Sequence, residues 1–263
     1  MPEKVISILV MLSSLLVEVD VVTRFHRIHI SKKLGSKDLT LPDSIFRTAT
    51  CVADCFALYL KSIDFELDSI AHISIEVVSG TNHLKRIKTW ELEHWHKFLE
   101  FEFDLKEIQK VDEFDFFVEF IKSVLIGFVV DSKVKFDQIE ELSERIKRDR
   151  ESFRIPYKSF ERKDYSLMLF LIAREGISEF YQLFLEVTRK RDNETKTYFV
   201  LEAFYDEIRS LVSRIVLKDD IVTLVPGTSD KARFYQEEFV KRGYDVPVTF
   251  DLNSRKAYVF ESI

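Results

Sequence analysis

Glycine is scarce in this 263-residue chain. The six residues Gly35, Gly80, Gly127, Gly176, Gly227 and Gly243 are never closer than sixteen positions apart. A dinucleotide-binding G-x-G-x-x-G turn, a Walker A loop and a G-x-S-x-G nucleophile elbow all need paired glycines, so all three are excluded. Cysteine is scarcer still, with only Cys51 and Cys55. A secreted disulfide framework uses more cysteines at scattered spacings, so a reducing compartment is expected. Positive charge is also short: 39 Lys and Arg stand against 45 Asp and Glu, for a net charge of −6. That balance argues against nucleic-acid binding by phosphate neutralisation, and the short cluster Arg189-Lys190-Arg191 does not change it. No internal repeat, low-complexity run or proline-rich linker divides the chain.

Apolar residues are present in ordinary globular measure. They make up 46% of the chain against 32% charged residues, enough to offset the ordering entropy of folding. One apolar run, residues 5–17, resembles a signal peptide. No small-residue cleavage site follows it, and it passes into Val17-Glu18-Val19-Asp20-Val21, the alternation of a half-buried strand. Thirteen residues are too few to cross a bilayer, which takes roughly 20. The expectation is an internal element in a cytoplasmic protein with no membrane contact.

Hydrophobic periodicity sets out the elements. A ribbon over 17–31 changes apolar parity between Phe25 and Ile28, which calls for a bulge or break. Pro42-Asp43 opens a helix to about residue 62, with apolar positions recurring every three to four residues. Residues 70–78 alternate as a strand, and Gly80-Thr81-Asn82 marks a turn. Residues 1–92 therefore read as a small strand–helix–strand subdomain. Residues 93–263 carry a strand over 96–105, two helices over 112–130 and 136–150, and then an antiparallel meander over 159–225. A helix over 230–242 and two short strands, 246–252 and 256–260, close the chain. Helices and strands segregate, so the class is α+β, and the two parts can form one continuous domain.

Chemistry-bearing motifs are few. Cys51 and Cys55 share a helix face, and a zinc site would need His26 with His29, or His94 with His96, to complete it. Neither C-x-x-C nor H-E-x-x-H occurs, so the thiols read as small buried apolar groups, with no metal and no cofactor expected. The most unusual stretch is 98–120. It holds eight acids (Glu100, Glu102, Asp104, Glu107, Asp112, Glu113, Asp115 and Glu119), two lysines and seven phenylalanines. Strand alternation puts Glu100, Glu102 and Asp104 opposite Phe101 and Phe103 and so toward water. Three readings follow: a solvated face over a phenylalanine core, a recognition surface for a cationic partner, or paired carboxylates for acid–base work. As a recognition surface the residues are Glu100, Glu102, Asp104, Glu107, Asp112 and Asp115.

Over residues 98–225 the chain resembles the immunity-protein families encoded beside bacterial polymorphic toxins. The resemblance is carried by an ordered pattern. Phe101-Glu102-Phe103-Asp104-Leu105 ends a strand, a helix covers 114–125, and a second charged helix follows. Ser159-Phe160-Glu161-Arg162-Lys163 then leads into the strand 165–173, three further strands come next, and the phrase from Ile215 to Val225 closes the pattern. Such a resemblance implies a non-catalytic cytoplasmic protein that binds and neutralises one cognate toxin domain, and it transfers no catalytic residues. The alternative from the residues alone is a carboxylate- or metal-dependent enzyme whose site the fold assembles from dispersed acids. An adaptor that pairs through an exposed sheet edge is a third class.

Overall fold

The computed structural model describes residues 24–25, 27–32, 42–80, 84–129, 132–174 and 180–253. The expectations for residues 5–17, for the turn at Thr81-Asn82 and for a last strand over 256–260 lie outside these. Strand β1 (Arg27–Lys32) buries Ile28 and Ile30 and turns Arg27 and His29 outward. Phe25, whose parity does not fit the strand, precedes it and is buried separately, its N–H donating to the Phe65 carbonyl at 3.1 Å.

Helix α1 (Asp43–Ser62) follows Pro42 and buries Ile45, Ala49, Val52, Ala53, Cys55, Phe56, Ala57 and Leu60. At about 100° per residue these positions, with Thr50, cover more than half of the helix circumference, which marks a helix packed on two sides. One side packs on β1 and on the later helix at residues 113–126; the other meets strands from residues 155–173. The row Ala49, Ala53, Ala57 carries no bulk beyond Cβ, so neighbouring elements can approach closely.

Three strands complete the first sheet: β2 (His72–Gly80), β3 (Leu84–Glu93) and β4 (His96–Asp104). The order is β1-β2-β4-β3, with β1, β2 and β4 parallel and β3 antiparallel to β4. Sequence periodicity does not reveal β3 because two register shifts, between Arg86 and Lys88 and between Glu91 and Glu93, break its alternation. A domain boundary at residue 92 would cut through β3, and β4 sits inside the sheet begun by β1 and β2. The buried core runs without interruption from Phe25 to Leu252.

A helical turn at Leu105–Ile108 leads into α2 (Glu113–Ile126) and α3 (Lys133–Asp149). Asp112 and Ser132 cap them, accepting from the N–H groups of Asp115 at 3.0 Å and Lys135 at 3.3 Å. Phe116, Phe117 and Phe120 of α2 meet Phe103 edge-on, and Phe120 also meets Phe101, with centroids 4.9 to 6.1 Å apart. Five of the seven phenylalanines of the acidic stretch, Phe101, Phe103, Phe116, Phe117 and Phe120, are therefore packed between the first sheet and α2.

Strands β5 (Ile155–Glu161), β6 (Tyr165–Ala173), β7 (Phe180–Arg189) and β8 (Glu194–Phe204) form an antiparallel meander in the order β5-β6-β7-β8. Residues 159–225 do not form one sheet, as the sequence reading expected. Helix α4 (Tyr205–Leu211) interrupts them, its start held by the Glu207 carboxylate accepting from Phe204 N–H at 3.0 Å. Strands β9 (Arg214–Lys218) and β10 (Ile221–Val225), with β11 (Val248–Asp251), make a separate three-stranded sheet in the order β11-β10-β9. Leu211 and Val212, which read as the start of a strand, are instead buried at the end of α4. Between β10 and β11 lies α5 (Asp230–Lys241). Gly243 ends it at φ 87°, where Tyr244 N–H reaches back to the Phe239 carbonyl at 3.1 Å. Among the described residues no helix is long and apolar enough to cross a membrane.

Phe103 is fully buried at the junction of the first sheet and α2. Phe103→Ala is expected to cost about 3–5 kcal/mol in urea unfolding, whereas Val111→Ala, at a surface position, stays within about 0.5 kcal/mol. A loss under about 1 kcal/mol at Phe103 would refute the packing described.

Candidate functional site

Six polar side chains are buried among the described residues: Thr50, Ser74, His96, Glu100, Ser143 and Glu207. Fold mechanics explain three of them. Thr50 and Ser143 donate to helix carbonyls, at 2.9 Å to Phe46 and 2.8 Å to Glu140. Glu207 caps α4 and accepts from the Arg242 guanidinium at 3.1 Å. The other three, Ser74, His96 and Glu100, share one place: the face of the first sheet turned away from α1 and α2.

Strand alternation builds that face. With Ile73, Ile75 and Val77 inward on β2, the residues His72, Ser74 and Glu76 point outward; with Leu99, Phe101 and Phe103 inward on β4, His96, Phe98, Glu100 and Glu102 do so. Parallel register then aligns His72 with His96, Ser74 with Phe98 and Glu76 with Glu100. The His72 and His96 rings stack at 4.1 Å and 7°, and Phe98 stacks on His96 at 4.3 Å. Ser74 Oγ and His96 Nε2 share a hydrogen bond of 2.9 Å. Burial holds the His96 imidazole below its ordinary range, against the opposing pull of the Glu93 carboxylate. His96 is thus a neutral ring at pH 7.

The acids of residues 98–120 divide between two environments. Glu100 does not face water as alternation alone suggested: it is 7% exposed, because β4 is an interior strand flanked by β2 and β3. Glu76 stands beside it in register on one side and Lys88 on the other. Glu102, half-buried, stands opposite Lys85 in register, and Asp104 accepts from Lys106 N–H at 2.9 Å at the strand end. Glu107 falls in the helical turn Leu105–Ile108.

The helix acids are engaged by cations from α2 itself, from α3 and just beyond it. Arg150 donates to Asp112 at 3.0 Å and to Asp115 at 3.1 Å, while Glu119 pairs with Lys122 at 2.7 Å and with Lys147. The bond from Asp115 N–H, followed by the Arg150 contact, holds the Asp112 carboxyl below the usual range. The acids named as a recognition surface thus have different surroundings: Glu100 is buried, while Asp112 and Asp115 are held by Arg150. Sequence reasoning missed Ser74 and Glu76; their signal was the alternation of β2, but its pairing with β4 is not visible in the chain.

Of the histidines that could complete a zinc site, His26 lies outside the described residues. His29 and His96 lie on the outer face of the first sheet, whereas α1, with Cys51 and Cys55, lies against its inner face. Among the described residues no group of three or more His, Cys, Asp or Glu side chains gathers as for a metal ion. No family model, curated protein or solved structure matches the chain, so the meaning of this face rests on its own geometry.

The Ser74–His96 pair makes a pH prediction. A lowered imidazole pKa in the folded state means that the unfolded chain binds the proton first. Stability is then expected to fall as pH drops through about 6.5 and to level below the folded midpoint. Histidine NMR should place the His96 midpoint below an ordinary imidazole, and Ser74→Ala should cost about 1–2 kcal/mol. A His96 midpoint at or above 6.5 would refute this account of its burial.

Proposed function

We propose that this chain is a non-catalytic, cytoplasmic binding protein of the immunity type, which docks onto one cognate bacterial toxin domain and blocks it. The observation that supports this reading is the outer face of the first sheet. Its central strands hold the half-buried Glu76, Phe98 and Glu102 in fixed register, backed by the buried Ser74, His96 and Glu100, and so present an aromatic group among carboxylates. A surface ordered in advance loses little side-chain entropy on binding, and aromatic groups ringed by polar ones suit a protein partner. The docking acids in this reading are Glu102 and Asp104. Glu100 acts from beneath as a buried support, and Asp112 and Asp115 serve first to cap α2 and to hold Arg150.

A second reading, a carboxylate- or metal-dependent enzyme, draws on one specific observation: Glu76 and Glu100 are register partners on the same face. Paired carboxylates can divide acid and base roles or share a divalent cation.

The test uses the toxin domain encoded beside this chain's gene. Co-expression should restore growth, and the purified pair should bind with nanomolar affinity. The double reversal Glu102→Lys/Asp104→Lys should slow association at low salt by roughly tenfold or more, with a stability loss of about 1–2 kcal/mol, chiefly from the Asp104 bond to Lys106 N–H, that leaves the chain folded. Reversal of Asp112 and Asp115 should lower stability through loss of the cap and of the Arg150 contacts. No binding, or association of the Glu102/Asp104 variant at the wild-type rate, would overturn the docking face. Magnesium-dependent turnover lost in Glu76→Gln would favour the enzyme.

A further inference from the structure

Two thiols on the opposite side of the first sheet play no part in that docking reading. Cys51 and Cys55 lie one turn apart on α1; Cys51 is half-buried and Cys55 is 3% exposed. The neighbouring Cys51 thiol, then burial, holds the Cys55 thiol protonated well above its ordinary range. Both line a crevice of about 90 Å³ with Phe114 of α2, Arg150 and Phe153 beyond α3, and Ala173 at the end of β6. Arg150 closes one wall. Its backbone sits at φ 41°, a costly conformation for a side-chain-bearing residue, and its guanidinium is fixed by Asp112 and Asp115 while lying 5.6 Å from the Phe114 ring centroid.

The spacing of the thiols decides what they can bind. Residues four apart on a helix have Cβ atoms about 5–6 Å apart, whereas a disulfide needs about 3.5–4.5 Å. Closing the difference would unwind α1 where it is packed on two sides. A single atom bridging the sulfurs meets no such obstacle, since two bonds of about 2.3 Å, as in zinc thiolates, span up to about 4.6 Å between sulfurs, which side chains with Cβ atoms about 5–6 Å apart reach by rotation alone. A tetrahedral zinc ion wants four ligands, and no third protein ligand gathers here among the described residues. A three-coordinate thiophilic centre needs only the two sulfurs and one substituent of its own. The crevice of about 90 Å³ beside the sulfurs leaves space for a methyl substituent.

We propose that Cys51 and Cys55 form a dithiol clamp that captures a trivalent methylated arsenical, bridged between the two sulfurs in this crevice. With methylarsonous acid, CH₃As(OH)₂, two As–S bonds form and two As–O bonds break. Each hydroxyl leaves with one thiol proton as water, and arsenic stays trivalent, so no oxidant or reductant is needed. The methyl group lies in the crevice beside Phe114 and Phe153. Because the folded helix already holds the thiols together, the second As–S bond forms within one molecule at high effective concentration.

The experiment uses the full chain and methylarsonous acid, read by native intact mass and by thermal unfolding. Wild type should take up one methylarsenic group, lose both titratable thiols and unfold at higher temperature, because the ligand favours the folded state. Cys51→Ser and Cys55→Ala should each weaken capture on the order of 100-fold. Cys51 is half-buried at the crevice mouth, so its serine variant keeps the test decisive should Cys55→Ala not fold. No adduct on folded wild type, unchanged affinity in Cys51→Ser, or an adduct only on chain unfolded in urea would each overturn the clamp. None of these outcomes bears on toxin docking, which uses the other side of the first sheet.

Discussion

Helix α1 must be covered on two sides, and the rest of the molecule is arranged around that demand. Its apolar arc is too wide for one sheet to bury, so β1 and α2 close on one side while β5 and β6 close on the other. The alanine row at 49, 53 and 57 permits close approach, and two polar ties fix the layers. Tyr181 of β7 donates to Asp54 at 2.8 Å, and Arg145 of α3 donates to the Tyr59 hydroxyl at 2.8 Å while lying over the Tyr59 and Phe153 rings. Tyr181 is itself almost wholly buried, so its hydroxyl needs this partner: an unsatisfied buried hydroxyl costs several times what an ordinary hydrogen bond contributes.

This arrangement divides the molecule into faces with different chemistry. The inner face of the first sheet is committed to α1 and α2, through Leu99, Phe101 and Phe103. Its outer face retains a histidine stack, a Ser–His hydrogen bond and two register-paired glutamates, none of which the core needs. The thiols, by contrast, are where they are because α1 turns its 51/55 edge toward the junction of α2, the end of α3 and β6. There the layers leave a small crevice.

Charge behaves in the same three-dimensional way. A count along residues 98–120 finds eight acids and two lysines, yet in space Arg150, Lys122 and Lys147 stand among the helix acids, and Lys85 and Lys88 are register partners of the strand acids. Each exposed pair adds little stability, about 0–1 kcal/mol. The pairs among the helix acids reduce the field that a cationic partner would meet there, leaving shape and aromatic contact to share the work of recognition with the strand acids.

The α+β class, α1, α2, α3, α5, β4 and the strands β6, β7 and β8 were legible in the chain, because each is a local matter of period, cap or turn chemistry. Legible too was the exclusion of glycine-loop nucleotide sites. Strand β3 was not, since its bulges erase the alternation, and α4 was not, since Leu211 and Val212 are as apolar as strand residues. Nor could the sequence tell that residues 159–225 split into two sheets, that β4 lies inside the first one, or that Glu100 is consequently buried. Those depend on which strands become neighbours, and pairing across tens of residues leaves no mark on the local pattern. Tertiary structure alone placed Ser74 against His96, Glu76 beside Glu100 and Arg150 between Asp112 and Asp115. Side-chain chemistry sets what each group can do, but only the fold sets which groups meet.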